Sequence, residues 1–348
     1  VKVTVAYNEI WPLTLMGKVK EKSGLYFNIE KGLRTYRYKN YNFVPKHPLM
    51  FNIFDKRMEK LYKEVVKKEG KVDVIHAQSS LWGGISAAYV AKKYNIPLVI
   101  TEHSSVKRGQ YVRESYYKRI VNSYKSADAI IAVGNGLKKE IEELTNRKDI
   151  KVIGNLVDLS LFDIRNIKKE SDEFIFFSVA FLEGEKGFDT LIKAFSKKFK
   201  NERARLVIGG DGSQREWLEG IAKSEGIENQ VTFTGALSRE EVAGWMNKCD
   251  AFVLPSRYET FGVVYIEALA SGKPVIGTFN GGAEDIVNQE IGILVEIDNE
   301  RELSDAMEYI RKNNKEYNPE KLRNYCTEKF SANVIIKKII NVYNEVIK

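Results

Sequence analysis

Cysteine is scarce. Cys249 and Cys326 are the only two in 348 residues, too few for a disulfide framework and unlike any metal pattern. That argues against a disulfide-stapled secreted fold and for a reducing compartment, the cytoplasm. Long apolar runs are missing too. No stretch approaches the roughly 18 apolar residues of a membrane span. The chain opens on Val1-Lys-Val-Thr-Val-Ala-Tyr7, which alternates like a strand and does not read as a secretory signal. A Gly-x-Gly-x-x-Gly fingerprint after a first strand is likewise absent. Gly209-Gly-Asp-Gly212 fits it poorly, which argues against a dinucleotide dehydrogenase. What remains is a chain of ordinary globular composition, long enough for about two domains.

Charge is unevenly spread. Residues 1–165 hold 30 lysines and arginines against 17 carboxylates, a net of +13, which leaves −5 for the remainder of the +8 total. A basic first half can meet an anionic membrane face or an acidic acceptor. The same lysines also suit a plain solvated surface. No nucleic-acid partner is expected.

The pattern along the chain is strand and helix in alternation. In the first half, strands are expected at Val1–Tyr7, Leu33–Tyr38, Val72–Ala77, the run ending at His103, Ala129–Val133 and Lys151–Ile153. A basic amphipathic helix is expected at Lys60–Lys71. The second half restarts at Phe174–Val179 and continues through Ala204–Gly209, Gln230–Gly235 and Asp250–Leu254. Such alternation predicts an α/β protein of two Rossmann-like parallel-sheet domains with helices on both faces. The polar stretch Arg165–Asp172 marks the boundary, giving a first domain over 1–165 and a second over 166–330. Residues 331–348 form a terminal helix with Val334, Ile335, Ile339, Val342, Tyr343 and Val346 at helical spacing.

Residues 256–287 carry the chemistry. Phe252-Val-Leu-Pro255 reads as a strand, Glu259-Thr-Phe-Gly262 as a loop and Val263–Ala270 as a short helix. Val275–Thr278 is a further strand, and Gly281-Gly282 a further helix start. Each loop therefore precedes a helix N-terminus, where backbone N–H groups and the helix dipole favour an anion. Gly262 permits close backbone approach. Glu259 and Glu267 flank this phosphate-ready turn and suit sugar hydroxyls, for which a carboxylate is an acceptor-only partner. A ligand with phosphate in the middle and a hydroxyl-rich ring at each end has that shape, as a nucleotide sugar does.

With Gly262 between them and Pro274 beyond, Glu259 and Glu267 resemble the Glu-x7-Glu signature of retaining glycosyltransferases of family 4. That resemblance implies a GT-B fold of two domains facing a cleft, with the C-terminal helix crossing back to the first. It implies a hexosyl transfer from a nucleoside-diphosphate sugar to an acceptor hydroxyl, in polysaccharide or glycolipid synthesis, at the cytoplasmic side of the membrane. Neither the sugar, the base nor the acceptor is named by it. Glu267 would bond the ribose and Glu259 the transferred sugar, while N–H groups near Gly262, Val263 and Val264 would hold the distal phosphate. Glu185-Lys186-Gly187 resembles the end of the family's Gly-Arg-Leu-x-x-x-Lys-Gly, so Lys186 would neutralise the pyrophosphate. Thr101-Glu102-His103-Ser104 matches the strand end whose histidine lies beside the donor sugar. Gly209 and Gly210 either admit the nucleotide or form a tight turn. No Asp-x-Asp stands in a suitable context, so neither metal nor cofactor is expected.

The chain departs from the family pattern in places. Ala180-Phe181 stands where Gly-Arg is usual, and Gln78 where a second histidine after His76 is common. Gly154-Asn-Leu-Val-Asp158 matches the interdomain joint imperfectly. The family's usual opening strand, Gly-rich loop and helix have no counterpart before Val1. Competing readings are a nucleotide-sugar epimerase of the same fold and a non-enzymatic sugar-binding protein. An epimerase would want paired acid and base groups around the sugar, where only His103 stands out.

Overall fold

A computed structural model describes residues 1–109, 112–165 and 172–347. The chain divides into two compact units. Unit 1 takes residues 1–133, 137–152 and those from 339 onward; unit 2 takes 134–136 and 153–338.

Unit 1 contains two sheets where the alternating pattern predicts one. Thr4–Trp11 (β1), Gly24–Glu30 (β2) and Leu33–Tyr41 (β3) form a mixed sheet in the order β1-β3-β2. β1 is parallel and β2 antiparallel to β3. The cause is local: Lys31 and Gly32 both take positive φ (47° and 80°), as in a two-residue primed turn, and fold the chain into a hairpin. Ile75–Gln78 (β4), Leu98–Glu102 (β5), Ala129–Ala132 (β6) and Lys151–Val152 (β7) make the second sheet, parallel throughout and in that order. β5 is buried along its whole length, as an inner strand of a covered parallel sheet should be. Helices Leu49–Glu69 (α1), Ile85–Tyr94 (α2) and Glu114–Ser126 (α3) pack here, with most of Asn135–Thr145 (α4). The helix expected from Lys60 begins at Leu49, because Met50, Phe51 and Phe54 extend its buried stripe toward the N-terminus. Tyr36 of β3 packs on Leu61 and Val65 of α1.

Unit 2 is one parallel sheet of six strands: Phe174–Val179 (β8), Ala204–Gly209 (β9), Val231–Gly235 (β10), Ala251–Val253 (β11), Val275–Thr278 (β12) and Gly292–Val295 (β13). Their order is β10-β9-β8-β11-β12-β13. The helices are Phe188–Phe199 (α5), Arg215–Ser224 (α6), Arg239–Lys248 (α7), Val263–Ala270 (α8), Glu300–Asn313 (α9), Pro319–Phe330 (α10) and Ala332–Val346 (α11). Phe176 of β8 meets Phe195 and Phe199 of α5 at 6.3 and 5.1 Å between ring centroids. Ser238 and Glu241 close a capping box on α7, and Asn318 before Pro319 caps α10. The expected helix start at Gly281-Gly282 is only a single 3-10 turn, Ala283–Asp285.

The units divide at Ile153, earlier than the polar stretch at Arg165 predicts. Val157 donates to the Phe330 carbonyl at 3.0 Å, which ties residues before that stretch into unit 2. Residues 166–171 of the expected linker lie outside the described residues. Helix α11 starts in unit 2, and from Ile339 it belongs to unit 1. There the Tyr343 hydroxyl lies 2.6 Å from His76 Nδ1, and Lys151 pairs with Glu345.

His76 is partly buried against Tyr343, and its Nε2 is 2.7 Å from the Thr101 hydroxyl. Burial holds its pKa down to about 4 from an ordinary 6.5, so the ring is neutral at pH 7. Its contribution to stability is fully present above pH 6.5 and is lost as pH falls toward 4, by about 3 kcal/mol. Urea midpoints at pH 7.5 and pH 4.5 should show this acid loss in the wild type and a smaller one in His76→Gln.

Candidate active site

The unit 2 sheet changes direction of strand order between β8 and β11, and ligands of such sheets bind beyond the carboxyl ends at that point. The loop after β8 runs from Ala180 to Gly187, and the loop after β11 from Leu254 to Gly262. They meet at Gly187, whose φ is 67° and where an added Cβ would lie 2.1 Å from the Pro255 carbonyl oxygen. Arg257 clasps the same junction. Its backbone N–H donates to the Glu185 carbonyl at 2.7 Å, and its guanidinium pairs with Asp189 and Asp298 at 2.8 and 2.7 Å and with the Gly184 carbonyl. These carboxylates hold the Arg257 pKa above its ordinary range.

Lys186 and Glu259 are brought together by this junction. Lys186 Nζ donates to Glu259 Oε1 at 2.7 Å, and Ser256 Oγ donates to the same oxygen at 2.9 Å. Both charged side chains are mostly buried. An ammonium has three donors, so this bond leaves Lys186 capacity for an anion. Gly262 is the N-cap of α8, with φ at 90°; a Cβ there would meet the Tyr265 ring at 2.5 Å. Val263 and Val264 form the first turn of α8, where backbone N–H groups have no intrahelical acceptor.

Glu267, one turn further along α8, is only 4% exposed. Arg239 Nη2 donates to its Oε1 at 3.0 Å. Burial raises the Glu267 carboxyl above its ordinary value, and Arg239 pulls it partly back. For Gly209 and Gly210 the tight-turn reading has a direct cause. An added Cβ would lie 1.9 Å from the Ala180 carbonyl at Gly210, and 2.7 Å from Leu237 Cδ1 at Gly209. Phe181, where the family pattern has arginine, is 79% exposed.

His103 belongs to unit 1, beyond the end of β5. Its Nε2 donates to Gln78 Oε1 at 2.7 Å, and Gln78 Nε2 lies 3.4 Å from His76 Nε2. Glu102 organises the turn. One carboxylate oxygen accepts from the Ser80 N–H at 2.8 Å and the Tyr124 hydroxyl at 2.7 Å; the other accepts from the N–H groups of His103 and Ser104. Ser79–Gly84 is a π-helical turn opening α2. His76, a weaker candidate, has both ring nitrogens engaged.

Sequence reasoning missed Ser256, Arg257 and Arg239. Arg239 stands directly after the capping Ser238, and nothing local connects it to Glu267, 28 residues away. Among the described residues, no group of three or more His, Cys, Asp or Glu is placed to hold a metal ion. Among them also, no helix is long and apolar enough to cross a membrane.

Two family models match the chain. Glycosyltransferase Family 4 matches residues 22–161 and Glycosyl transferases group 1 matches residues 160–329. An uncharacterized glycosyltransferase of Methanocaldococcus jannaschii is 30% identical over 300 residues, 82% of this chain and 79% of that protein. The N-acetyl-alpha-D-glucosaminyl L-malate synthase of Bacillus anthracis is 26% identical over 340 residues, 94% of this chain and 88% of that one. Among solved structures, the Anabaena protein HepE, crystallised with UDP and glucose, superposes at a TM-score of 0.71 with 20% identity, covering 90% of this chain and 86% of that one. The shared architecture is the GT-B fold.

Glu267 and Arg239 give a pH test. A buried carboxyl with a raised pKa favours the fold while protonated and opposes it once ionised, and Arg239 offsets that opposition. Arg239→Ala should therefore cost little at pH 4 and about 1 kcal/mol at pH 7.5, discounted because the Arg239 side chain is 60% exposed. Urea midpoints at the two pH values measure the difference.

Proposed function

Because this chain belongs to the glycosyltransferases of group 1 and family 4, we propose that it moves a hexosyl group from a nucleoside-diphosphate sugar to an acceptor hydroxyl, retaining anomeric configuration. The observation that carries this reading is the Lys186–Glu259 pair, 2.7 Å apart where loops leading into α5 and α8 meet. The donor diphosphate takes the Lys186 ammonium and the N–H groups of Gly262, Val263 and Val264. Glu259 turns to hydroxyls of the transferred sugar, and Glu267 to those of the ribose. HepE, solved with UDP and glucose, supports a uridine donor.

In the reaction the bond from the anomeric carbon to the phosphate oxygen breaks, and its electron pair stays on the phosphate. The acceptor oxygen bonds to the anomeric carbon on the same face, and its proton passes to the departing phosphate oxygen. Lys186 and the helix N-terminus stabilise the negative charge that grows there, without a metal. Enclosure of the donor excludes the water that would hydrolyse it. A relative named for N-acetylglucosaminyl malate synthesis and another named alpha-monoglucosyldiacylglycerol synthase support a small or lipid-borne hydroxyl acceptor. We place this reaction in cell-surface polysaccharide or glycolipid synthesis, on the cytoplasmic side.

Lys186→Ala and Glu259→Gln should each lower kcat by about 10²-fold or more, measured as nucleoside diphosphate released from a panel of UDP-, GDP- and ADP-sugars. The product anomer, read by NMR, should match that of the donor. Unchanged turnover in both variants, or binding of free sugar with no affinity for any nucleotide sugar, would sink the reading.

A further inference from the structure

Charge and exposed apolar surface coincide at one end of the chain. Residues 1–70 hold fifteen lysines and arginines against seven carboxylates, so they carry the whole +8 and the remaining residues are neutral overall. More than half of the exposed large apolar side chains among the described residues lie within residues 1–53. Three of them, Leu25, Phe27 and Ile29, alternate along β2, which is the edge strand of its sheet. They are 42%, 49% and 60% exposed. Register sets their direction. Phe27 lies opposite Tyr36 and Leu25 opposite Tyr38, and Tyr36 packs on α1. The three side chains therefore continue the α1 side of the sheet beyond the helix, as a bare ridge.

Cations border the ridge. Arg34 lies opposite Ile29 with its guanidinium 5.1 Å from the centre of the Phe27 ring, and Lys68 of α1 lines the groove between α1 and Phe27. Lys31 sits at the tip of the hairpin and is exposed. Edge strands are normally blunted by inward charges, twist or cover. Here the edge presents apolar side chains beside Lys31, Lys68 and Arg34; Arg34 is paired with Glu69 and Glu64 also lines the groove, so the excess positive charge comes from residues 1–70 as a whole. A second copy docking on this face would bring two basic surfaces together, which repel. An anionic lipid surface satisfies both features, since apolar side chains enter the acyl boundary while lysines and arginine meet the head groups.

We propose that the β2 ridge of Leu25, Phe27 and Ile29, with Lys31, Arg34 and Lys68, is a docking face for an anionic bilayer. The proposal stands on this surface alone and survives if the sugar-transfer reading fails. Where both hold, the face brings unit 1 to a membrane that carries the acceptor.

The test is co-sedimentation of the full chain with phosphatidylcholine vesicles, with and without 30 mol% phosphatidylglycerol. Binding is expected to the anionic vesicles and to fall at high salt. Phe27→Ser/Ile29→Ser and, separately, Lys31→Glu/Lys68→Glu should each weaken it at least tenfold. Trp217→Ser, an exposed apolar residue of unit 2, should leave it unchanged. Release of nucleoside diphosphate from a soluble donor should be the same in all of them, which separates this proposal from the catalytic reading. Equal binding by the ridge variants overturns it. So does a wild type that forms dimers in vesicle-free sedimentation while Phe27→Ser/Ile29→Ser stays monomeric.

Discussion

The close approach of Gly187 to the Pro255 carbonyl is the contact on which the candidate site depends. No side chain fits between them, and the left-handed backbone at Gly187 turns the chain directly into α5. The loops after β8 and β11 are thereby pressed together, although some 70 residues of chain separate them. Arg257 holds the junction from the other side through Asp189, Asp298 and the Gly184 carbonyl. Lys186 and Glu259 become partners because their backbones have no other place to go. A small shift at this junction would part them, since an ammonium–carboxylate bond of 2.7 Å weakens quickly with distance.

Each unit keeps a buried carboxylate near its candidate residues and treats it differently. Glu102 lies at a strand end and is satisfied by backbone N–H groups and the Tyr124 hydroxyl, so its charge is spent on holding the turn that presents His103. Glu267 lies within a helix, with burial against it and one half-exposed arginine for it. A carboxylate bound by a long side chain can exchange that partner for ligand hydroxyls at lower cost than one bound by backbone donors. This difference separates Glu102, which holds a turn, from Glu267, whose partner is an exposed side chain.

Much of unit 2 is legible in its sequence. Each strand from β8 to β12 was expected within a few residues, because continuous apolar runs between Gly and Pro punctuation leave little else to form. The spacing predicts a helix over Val263–Ala270, the bounds it has. Unit 1 is less legible in its sequence. β2 was missed because its exposed apolar face and polar reverse face give no burial signal, and the Lys31-Gly32 turn that pairs it is a weak one. Helix α3 was missed as well, since its mean hydropathy is low and its burial rests on Tyr116, Ile120 and Tyr124.

Local spacing was enough to determine that Glu259 and Glu267 flank a helix N-terminus, that Lys186 and Gly187 precede another, and that the chain is two α/β halves. Those features live within a few turns of backbone, where periodicity and glycine placement act. Only tertiary structure decided that Lys186 binds Glu259, that Arg239 answers Glu267, and that α11 leaves unit 2 to dock Tyr343 on His76. The physical reason is that a partner tens or hundreds of residues away is chosen by the order of strands in a sheet and by which backbones can touch, and neither quantity is written in the spacing of residues along the chain.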